Sequence, residues 1–313
     1  QGMDAAKLDA AIGAIRSGDT GIHSLLVVRN GYLVSETYFE GRDKDTLAEV
    51  YSVTKSVISI LTGIAIDRGD IADVSRTLSD EALFGPLRDT DPLKRGIAIH
   101  DLLTMTSGLE WSEGDAAYRS FYFSEDPAAY VLGQRMAAEP GEVFNYDSGA
   151  VHLLSIAISR GAGMETAQYA RKYLFQPLGI KRFEWEQDRQ GRSIGGWGLT
   201  LTPRDMAKIG YLILRGGEWE GERIVSGDWI ETSTKASVVD TGSRDGLLYG
   251  YLWWISPELE GFAALGLAGQ TIFLVPTLDL VVIITASTPD RGHGAIFRLL
   301  KDHIVLAATA AGG

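Results

Sequence analysis

The chain has 313 residues, of which 45% are apolar and 22% are charged. This composition is typical of a globular protein and allows one large domain or two domains that share a core. The formal net charge of −12 argues against a nucleic-acid partner, because binding to phosphates needs a basic surface. The absence of cysteine excludes disulfides, thiolate metal sites and cysteine nucleophiles. No apolar run reaches the length of a membrane span.

The sequence begins with Gln1-Gly2 and not with methionine, so we expect that a leader has been removed, either a signal peptide or an artificial one. A periplasmic or secreted location is the first expectation and a cytoplasmic location the alternative, since a chain without cysteine suits both. Both a monomer and a homodimer are compatible with the sequence.

The N-terminal part combines a helix, a hairpin and an apolar helix. Residues 3–17 have a helical pattern, and two β-rich runs flank Asn30-Gly31, which is the strongest short indication of a β-hairpin. Residues 52–67 are apolar almost all round. A helix without a polar face is a buried helix, so we expect this segment to lie in the core.

The middle of the chain is mainly helical, and strands return near the C-terminus. Helical stretches and glycine-bearing loops alternate between residues 68 and 240, where strand patterns are sparse. The predicted elements are helices at 99–106, 127–138, 149–161 and about 290–308, and strands at 249–255, 270–275 and 280–285.

Strands at both ends and helices between them indicate an α+β fold. The simplest packing is one antiparallel sheet formed by both chain termini with flanking helices, plus a mostly helical inserted domain. We therefore predict a discontinuous sheet domain from residues 1–67 and 241–313, and a helical domain from residues 68–240. The cleft between the two is the expected position of a site.

Ser52-Val53-Thr54-Lys55 forms an S-x-x-K motif at the start of the apolar helix. Lys55 lies one turn after Ser52 and therefore on the same side of the helix. Loss of hydration at this position lowers the pKa of a lysine, and a neutral amine beside a hydroxyl can activate a serine. On the motif alone, an equally good interpretation is that Ser52 caps the helix and that Lys55 extends to solvent.

Several blocks in the same order make the pattern more specific. Residues 50–56 around Ser52 resemble the nucleophile motif of class C β-lactamases, DD-peptidases and family VIII carboxylesterases, and nylon-oligomer hydrolases share the pattern. Together the blocks extend over residues 20 to 290, and the further ones are residues 101–109 (DLLTMTSGL), 140–146 (PGEVFNY), 198–207 (GLTLTPRDMA) and 249–254 (YGYLWW). The sequence thus resembles the penicillin-recognising superfamily of serine β-lactamases and DD-peptidases, closest to the family VIII carboxylesterases and nylon-oligomer hydrolases.

The resemblance implies that Tyr146 belongs to the Y-x-N motif of the superfamily, with Ser148 at the asparagine position. In this role the hydroxyl of Tyr146 relays a proton between Ser52 and the leaving group. We expect the nearby Lys55 to lower the pKa of Tyr146. The alternative is a core tyrosine whose hydroxyl is satisfied by a structural hydrogen bond. Ser148 is shorter than asparagine, which makes the substrate class uncertain.

The third motif of the superfamily, K-T-G or H-x-G, is represented by Leu267-Ala268-Gly269, so the cation that holds a substrate carboxylate is absent. The resemblance implies an oxyanion hole formed by the backbone amides of Ser52 and Gln270. Gly266–Gly269 can also be a plain turn. The expected substrate-binding residues are Ser148, Leu267, Ala268, Gly269, Trp111 and Tyr118. Five aromatic residues can belong either to the wall of the cleft or to the core: Trp111, Tyr118, Phe121, Tyr122 and Phe123.

Two other chemistries are less consistent with the sequence. Ser193 fits the G-x-S-x-G nucleophile elbow, but a charged, turn-like segment precedes it where that motif needs a strand. The five histidines form no H-x-H or H-x-x-x-H pair, so we expect no metal and no cofactor. His152 lies on the predicted helix that follows Tyr146 and has a structural role in this interpretation.

The sequence therefore predicts a serine hydrolase that forms an acyl-enzyme on Ser52, with short-chain or aryl esters, and also simple amides, as better substrates than β-lactams. One alternative is a β-lactamase or D-alanyl-D-alanine peptidase that recruits an arginine elsewhere. Another is a non-catalytic sensor or binding module that keeps the fold, an interpretation motivated by the changes at Ser148 and Leu267. The expected partner is a small-molecule ester, amide or β-lactam.

Overall fold

The computed structural model describes residues 1–18, 20–87, 91–243, 245–288 and 292–309. Its principal element is a seven-stranded antiparallel sheet with the strand order β2-β1-β12-β11-β10-β9-β8. The strands of the described residues are β1 Ile22–Arg29, β2 Tyr32–Tyr38, β3 Ala48–Glu49, β4 Glu184–Trp185, β5 Leu199–Leu201, β6 Glu218–Trp219, β7 Glu222–Arg223, β8 Leu248–Tyr249, β9 Trp254–Ser256, β10 Gly261–Gly266, β11 Gln270–Val275 and β12 Leu280–Ala286.

Helices cover both faces of this sheet and fill the middle of the chain. The α-helices of the described residues are α1 Ala5–Ser17, α2 Val53–Asp67, α3 Glu81–Phe84, α4 Pro92–Gly96, α5 Ile99–Leu103, α6 Asp115–Phe123, α7 Pro127–Leu132, α8 Ser148–Ala162, α9 Thr166–Ala170, α10 Pro203–Leu214, α11 Gly227–Ser233, α12 Gly294–Leu299 and α13 Leu306–Thr309. No helix among the described residues is long and apolar enough to cross a membrane.

The two ends of the chain meet in the centre of the large sheet, as predicted. β1 pairs with β12 in antiparallel register, so that Leu26 lies opposite Ile283. The predicted hairpin is present between β1 and β2, where Asn30 and Gly31 have φ values of 49° and 77°. These positive values suit the tight turn that an Asn-Gly pair forms. The α+β class and the sheet built from both termini are confirmed.

Alternating side chains divide β12 between two cores. Val282 and Ile284 face the core that includes Leu8 and Ile15 of α1. Val281 and Ile283 face the larger core, which includes α2 and the middle of the chain. A strand covered on both faces is apolar at every position, which explains why β12 has no polar side chain in its first five residues.

α2 is the buried helix that the sequence predicts. Thirteen of its fifteen residues are buried, from Val53 to Ala65. α2 packs between β10 and β11 on one side and α8 on the other. Its first turn therefore faces the junction between the sheet and the helical part of the chain.

Several elements depart from the sequence-based expectations. The predicted strand at 249–255 is divided into β8 and β9, and the predicted helix at 127–138 ends at Leu132. Strand β10 was not predicted, because its small residues Ala263, Ala264 and Gly266 have low β-propensity. α10 lies within the predicted helical domain of residues 68–240, yet it packs against β1, β11 and β12. The predicted boundary between the two domains at residue 240 therefore stays a prediction, and α10 packs with the sheet. The start of the predicted C-terminal helix near residue 290 lies outside the described residues.

Candidate active site

Ser52 immediately precedes α2, at the end of a constrained backbone segment. The amide of Val50 donates to the carbonyl of Leu199 at 2.9 Å. Tyr51 has a φ of 47°, a left-handed conformation that a residue other than glycine adopts only where its surroundings hold it there. The side chain of Ser52 makes no capping hydrogen bond to the helix amides. The alternative interpretation of Ser52 as a helix-capping serine is therefore wrong, and its hydroxyl is available at the cleft.

The amine of Lys55 is buried against this hydroxyl. Lys55 is 1% exposed, and its Nζ donates to Ser52 Oγ at 2.8 Å and to the carbonyl oxygen of Gly196 at 2.7 Å. Burial lowers the pKa of Lys55 to about 8, against the opposing effect of the carboxylates of Glu113 and Asp147. The alternative in which Lys55 extends to solvent is wrong.

Tyr146 completes a group of three predicted site residues that come from two separate segments of the chain. Its hydroxyl is hydrogen-bonded to Ser52, and the Nζ of Lys55 lies 4.8 Å from the centre of its ring. The ring stacks on Trp254 with a centroid distance of 5.7 Å and an interplanar angle of 20°. The three residues predicted to act together are thus brought together.

The expected lowering of the pKa of Tyr146 is wrong. Burial raises the pKa of Tyr146 well above its ordinary value, and the hydrogen bond with Ser52 only partly opposes this. Because Lys55 is itself easily neutralised at its lowered pKa, its charge does not offset the desolvation of a phenolate. Tyr146 is therefore a neutral phenol, which can give a proton but needs another group as the base.

Ser52 opens into a cleft of about 770 Å³. Tyr118 and Leu267, two of the expected substrate-binding residues, line this cleft, and Leu267 is 44% exposed. Three carboxylates lie on its walls, those of Glu49, Glu113 and Asp245. The aromatic lining residues among those described are Tyr51, Tyr118, Tyr122, Tyr146, Trp197, Trp254, His293 and Phe297.

Two further expected contact residues lie behind the wall of the cleft. Ser148 is fully buried at the start of α8, beside the phenol of Tyr118. Trp111 is 8% exposed and packs in the core. Two other aromatic residues were expected either in the cleft wall or in the core. Tyr122 lines the cleft, and Phe121 is a core residue. Phe123 is 70% exposed and does neither.

The turn after β10 differs from the arrangement that the superfamily pattern implies. β10 ends at Gly266, which approaches Val50 so closely that an added Cβ would lie 2.2 Å from the Val50 carbonyl oxygen. Consequently Leu265, Gly266 and Leu267 line the cleft, whereas Ala268, Gly269 and Gln270 do not.

Gln270 instead lies in the ladder between β10 and β11, opposite Gly266, and its side-chain amide donates to the Ala286 carbonyl oxygen at 2.5 Å. Gly269 packs against Ile296. Gln270 therefore does not line the cleft that contains Ser52, and the assignment of its amide to the oxyanion hole stays a prediction.

The sequence-based interpretation missed Glu113. Its Oε1 accepts hydrogen bonds from Trp111 Nε1 and from the amide of Ser148, both at 2.7 Å, and its Oε2 accepts from the hydroxyl of Tyr118. Glu113 thus fixes an aromatic wall of the cleft to the N-terminus of α8. It lies in a loop with no periodic pattern, so only the donors that converge on it in the fold identify it.

Asp147, between the two motif residues Tyr146 and Ser148, is also a group that the sequence-based interpretation missed. It is fully buried, and its Oδ1 accepts from the amide of Ala150 at 2.9 Å as the N-cap of α8. Burial raises the pKa of Asp147 to about 7, despite the hydrogen bond from Ala150. This carboxyl group therefore changes charge near neutral pH, close enough to Lys55 to influence it.

Other candidate chemistries find no support among the described residues. Ser193 is fully buried, and its hydroxyl donates to Glu165, so it is a structural serine. No group of three or more His, Asp or Glu side chains in the described part of the chain could hold a metal ion.

Comparisons with known proteins agree with this geometry. A beta-lactamase family model matches residues 13–305. The 6-aminohexanoate-dimer hydrolase of Paenarthrobacter ureafaciens is 26% identical over 315 residues, covering 92% of this chain and 79% of its own.

Solved structures show the same fold. EstCE1, a hydrolase with promiscuous acyltransferase activity, superposes with a TM-score of 0.78 at 18% identity and covers 99% of this chain and 98% of its own. A family VIII carboxylesterase gives a TM-score of 0.76 at 19% identity, covering 97% and 96% of the two chains. Since the family model spans nearly the whole sequence, this chain belongs to the beta-lactamase family and is a hydrolase with the β-lactamase fold.

Proposed function

We propose that this protein is a serine hydrolase that cleaves small carboxylic esters through an acyl-enzyme on Ser52. The observation that carries this proposal is the 2.8 Å hydrogen bond between Lys55 Nζ and Ser52 Oγ in a site where the lysine is buried. A buried amine with a lowered pKa is neutral in a useful fraction of molecules near pH 8, and only a neutral amine can accept the proton of the serine hydroxyl.

The proposed reaction has two half-reactions. Lys55 removes the proton of the Ser52 hydroxyl as Oγ attacks the carbonyl carbon of the ester. Tyr146 then gives its phenolic proton to the departing alkoxide and regains one from Lys55, which leaves the acyl group on Ser52. A water molecule attacks the acyl-enzyme with the same groups acting in reverse, releasing the carboxylic acid and restoring Ser52.

The negative oxygen of the tetrahedral intermediate needs two hydrogen-bond donors. The amide of Ser52, at the start of α2, is one. We assign the second to the amide of Leu267 in place of Gln270, because Leu267 lines the cleft directly after β10 ends. The exposed side chain of Leu267 then provides an apolar contact for the acyl or alcohol part of the substrate.

The charge of the cleft favours substrates without a carboxylate. Leu267 stands where the superfamily pattern has a cation, and Glu49, Glu113 and Asp245 line the cleft. None of these three carboxylates is in an ion pair among the described residues. A carboxylate substrate, such as a penicillin, would meet like charges, whereas a neutral or cationic acyl group would not.

A simple amide of a cationic acyl group is the second candidate substrate. The Paenarthrobacter relative is named for the 6-aminohexanoate dimer, and the acidic cleft of this chain would accept a positively charged chain end. A β-lactamase or D-alanyl-D-alanine peptidase with weak β-lactam turnover, and a non-catalytic binding module, are the alternatives that experiments must separate.

The first prediction concerns the nucleophile. A fluorophosphonate probe should add one covalent group to the wild-type protein and none to Ser52→Ala, and p-nitrophenyl butyrate should be hydrolysed faster than a chromogenic cephalosporin under matched conditions. Ser193→Ala, which alters the other serine motif, should still be labelled. No labelling of the wild type would favour the binding module, and faster cephalosporin hydrolysis would favour a β-lactamase.

The second prediction concerns pH. Since Lys55 must be neutral to act as the base, kcat/KM for p-nitrophenyl butyrate should rise about tenfold per pH unit below its pKa and level off above about pH 8. Asp147→Asn removes a negative charge near Lys55, which should move the midpoint to lower pH. A profile that rises only through the range of an unperturbed lysine, near pH 10, would contradict the assignment of Lys55.

The third prediction concerns charge selectivity. p-Nitrophenyl 4-(trimethylammonio)butanoate should be cleaved with a kcat/KM about 3- to 10-fold above that of its neutral isostere, p-nitrophenyl 5,5-dimethylhexanoate, and the monoanionic p-nitrophenyl glutarate should be slowest. Glu49→Gln should reduce the advantage of the cation. Asp9→Asn, an equal change of net charge at an exposed position of α1, should not. A preference for the anionic ester would contradict this interpretation of the cleft.

A further inference from the structure

The carbonyl group of Gly196 is one of two hydrogen-bond partners of the Lys55 amine. Lys55 Nζ donates to it at 2.7 Å and contacts Ser52 Oγ at 2.8 Å. A neutral amine has two hydrogens and one lone pair, so an acceptor that holds one hydrogen restricts where the lone pair can point. The position of the Gly196 carbonyl thus decides whether the lone pair of Lys55 faces the Ser52 hydroxyl.

The segment that carries this carbonyl is pressed against α8. A Cβ at Gly195 would lie 2.2 Å from the Val151 carbonyl oxygen, and a Cβ at Gly196 would lie 2.9 Å from Ser148. The amide of Gly195 donates to Nδ1 of His152 at 3.4 Å. This long hydrogen bond is the link between the segment and a titratable side chain of α8.

His152 is held from its other side by Asp188. His152 Nε2 lies 3.1 Å from Asp188 Oδ2, and both side chains are fully enclosed. Arg192 Nε donates to the same carboxylate oxygen at 2.7 Å, and Arg192 also pairs with Asp126. Asp188 Oδ1 accepts from the amides of Gln190 and Arg192. The carboxylate is therefore saturated with donors.

These contacts determine the tautomer of His152. Because Nδ1 accepts from the amide of Gly195, the ring proton lies on Nε2, where it is donated to Asp188. Burial lowers the pKa of His152, so the ring is neutral. Burial alone would raise the pKa of Asp188, but the hydrogen bonds from His152 and Arg192 lower it below its usual range. A neutral His152 ring beside an ionised Asp188 therefore fits the contacts with both Gly195 and Asp188.

We propose that the buried His152–Asp188 pair is a positioning unit for the reaction, which holds the Gly195-Gly196 backbone so that the Gly196 carbonyl orients the amine of Lys55 toward Ser52. The proposal rests on the proposed function, since it concerns the same base. His152 and Asp188 touch neither the substrate nor Ser52. They act through one hydrogen-bonded chain, from Asp188 through His152 and Gly195 to the Gly196 carbonyl.

Asp188→Asn tests this chain by changing one atom. The side-chain oxygen of the introduced asparagine is needed by the two backbone amides, so its NH₂ group faces His152 and forces the ring proton onto Nδ1. The Nδ1–H of His152 then faces the amide N–H of Gly195. Because two donors cannot form a hydrogen bond, the Gly195-Gly196 segment shifts and the Gly196 carbonyl moves away from Lys55. A hydrogen bond to a carbonyl favours the ammonium form of lysine, so its loss lowers the pKa of Lys55.

The measurement is the rate of Ser52 inactivation by a fluorophosphonate between about pH 6 and 10, which needs the neutral amine of Lys55 but no natural substrate. Glu113 and Asp147, the charged groups that face Lys55, are unchanged in the variant. In Asp188→Asn we expect the midpoint of the profile to move down by about half a pH unit or more and the plateau rate to fall about 10- to 100-fold. A loss of folded protein alone would lower the plateau and leave the midpoint in place.

Two substitutions of His152 keep the test informative if Asp188→Asn fails to fold. His152→Asn can present an oxygen near the position of Nδ1 and so keep an acceptor for Gly195. His152→Gln reaches Asp188 but loses that acceptor. We expect the Asn variant to keep the midpoint of the wild type and the Gln variant to shift it as Asp188→Asn does.

Ser193→Ala is the matched control, because it removes a buried hydrogen bond from the same segment, to Glu165, without touching His152. Its midpoint should equal that of the wild type. Equal midpoints for wild type, Asp188→Asn and His152→Gln would overturn the positioning role and leave the proposed function intact. An absence of labelling at Ser52 in the wild type would instead contradict the proposed function itself.

Discussion

The hydrogen bonds of the Lys55 amine are the interaction on which the rest of the site depends. An ammonium group enclosed by protein loses most of its hydration, and the carboxylates of Glu113 and Asp147 return only part of that loss. The amine is therefore neutralised at a pH at which an exposed lysine is fully charged. Ser52 supplies the hydroxyl and Gly196 the acceptor, so the buried amine has a polar partner on two sides.

The fold produces this environment by joining segments that are far apart in the chain. The apolar surface of α2 places its first turn between the sheet and α8, and pairing of β3 with β5 brings the residues before Ser52 beside those that follow Gly196. α8 contributes His152, and Asp147 caps its N-terminus. Burial of α2 thus has two effects: it stabilises the core, and it dehydrates the lysine that the proposed reaction needs.

The sequence predicted the parts of the site that depend on local patterns. The apolar run after Ser52 identified α2, and the spacing of three residues placed Lys55 beside Ser52. Tyr146 came from the resemblance, because no periodic pattern connects it with residues so much earlier in the chain. The Asn30-Gly31 turn and the strands at both ends were sufficient for the fold class.

The parts that the sequence did not predict depend on tertiary contacts. Glu113 is defined by three donors that only the folded chain brings together, and the Gly196 carbonyl belongs to a backbone group that no side-chain pattern identifies. The expected lowering of the pKa of Tyr146 is wrong because burial of the phenol raises its pKa, and only the hydrogen bond with Ser52 opposes this. The oxyanion-hole role of Gln270 stays a prediction, because the end of β10 at Gly266 cannot be located from a run of small residues.

The most direct test of the central claim is a titration of Lys55 itself, observed by NMR of a protein with ¹³C- and ¹⁵N-labelled lysine and assigned by comparison with Lys55→Arg. The structure predicts that one lysine signal titrates with a midpoint of about 8 in the wild type and is missing in the variant. If the Lys55 signal remained that of an ammonium group up to about pH 10, the ordinary range of lysine, the amine could not serve as the base and the proposed role of Lys55 would be contradicted.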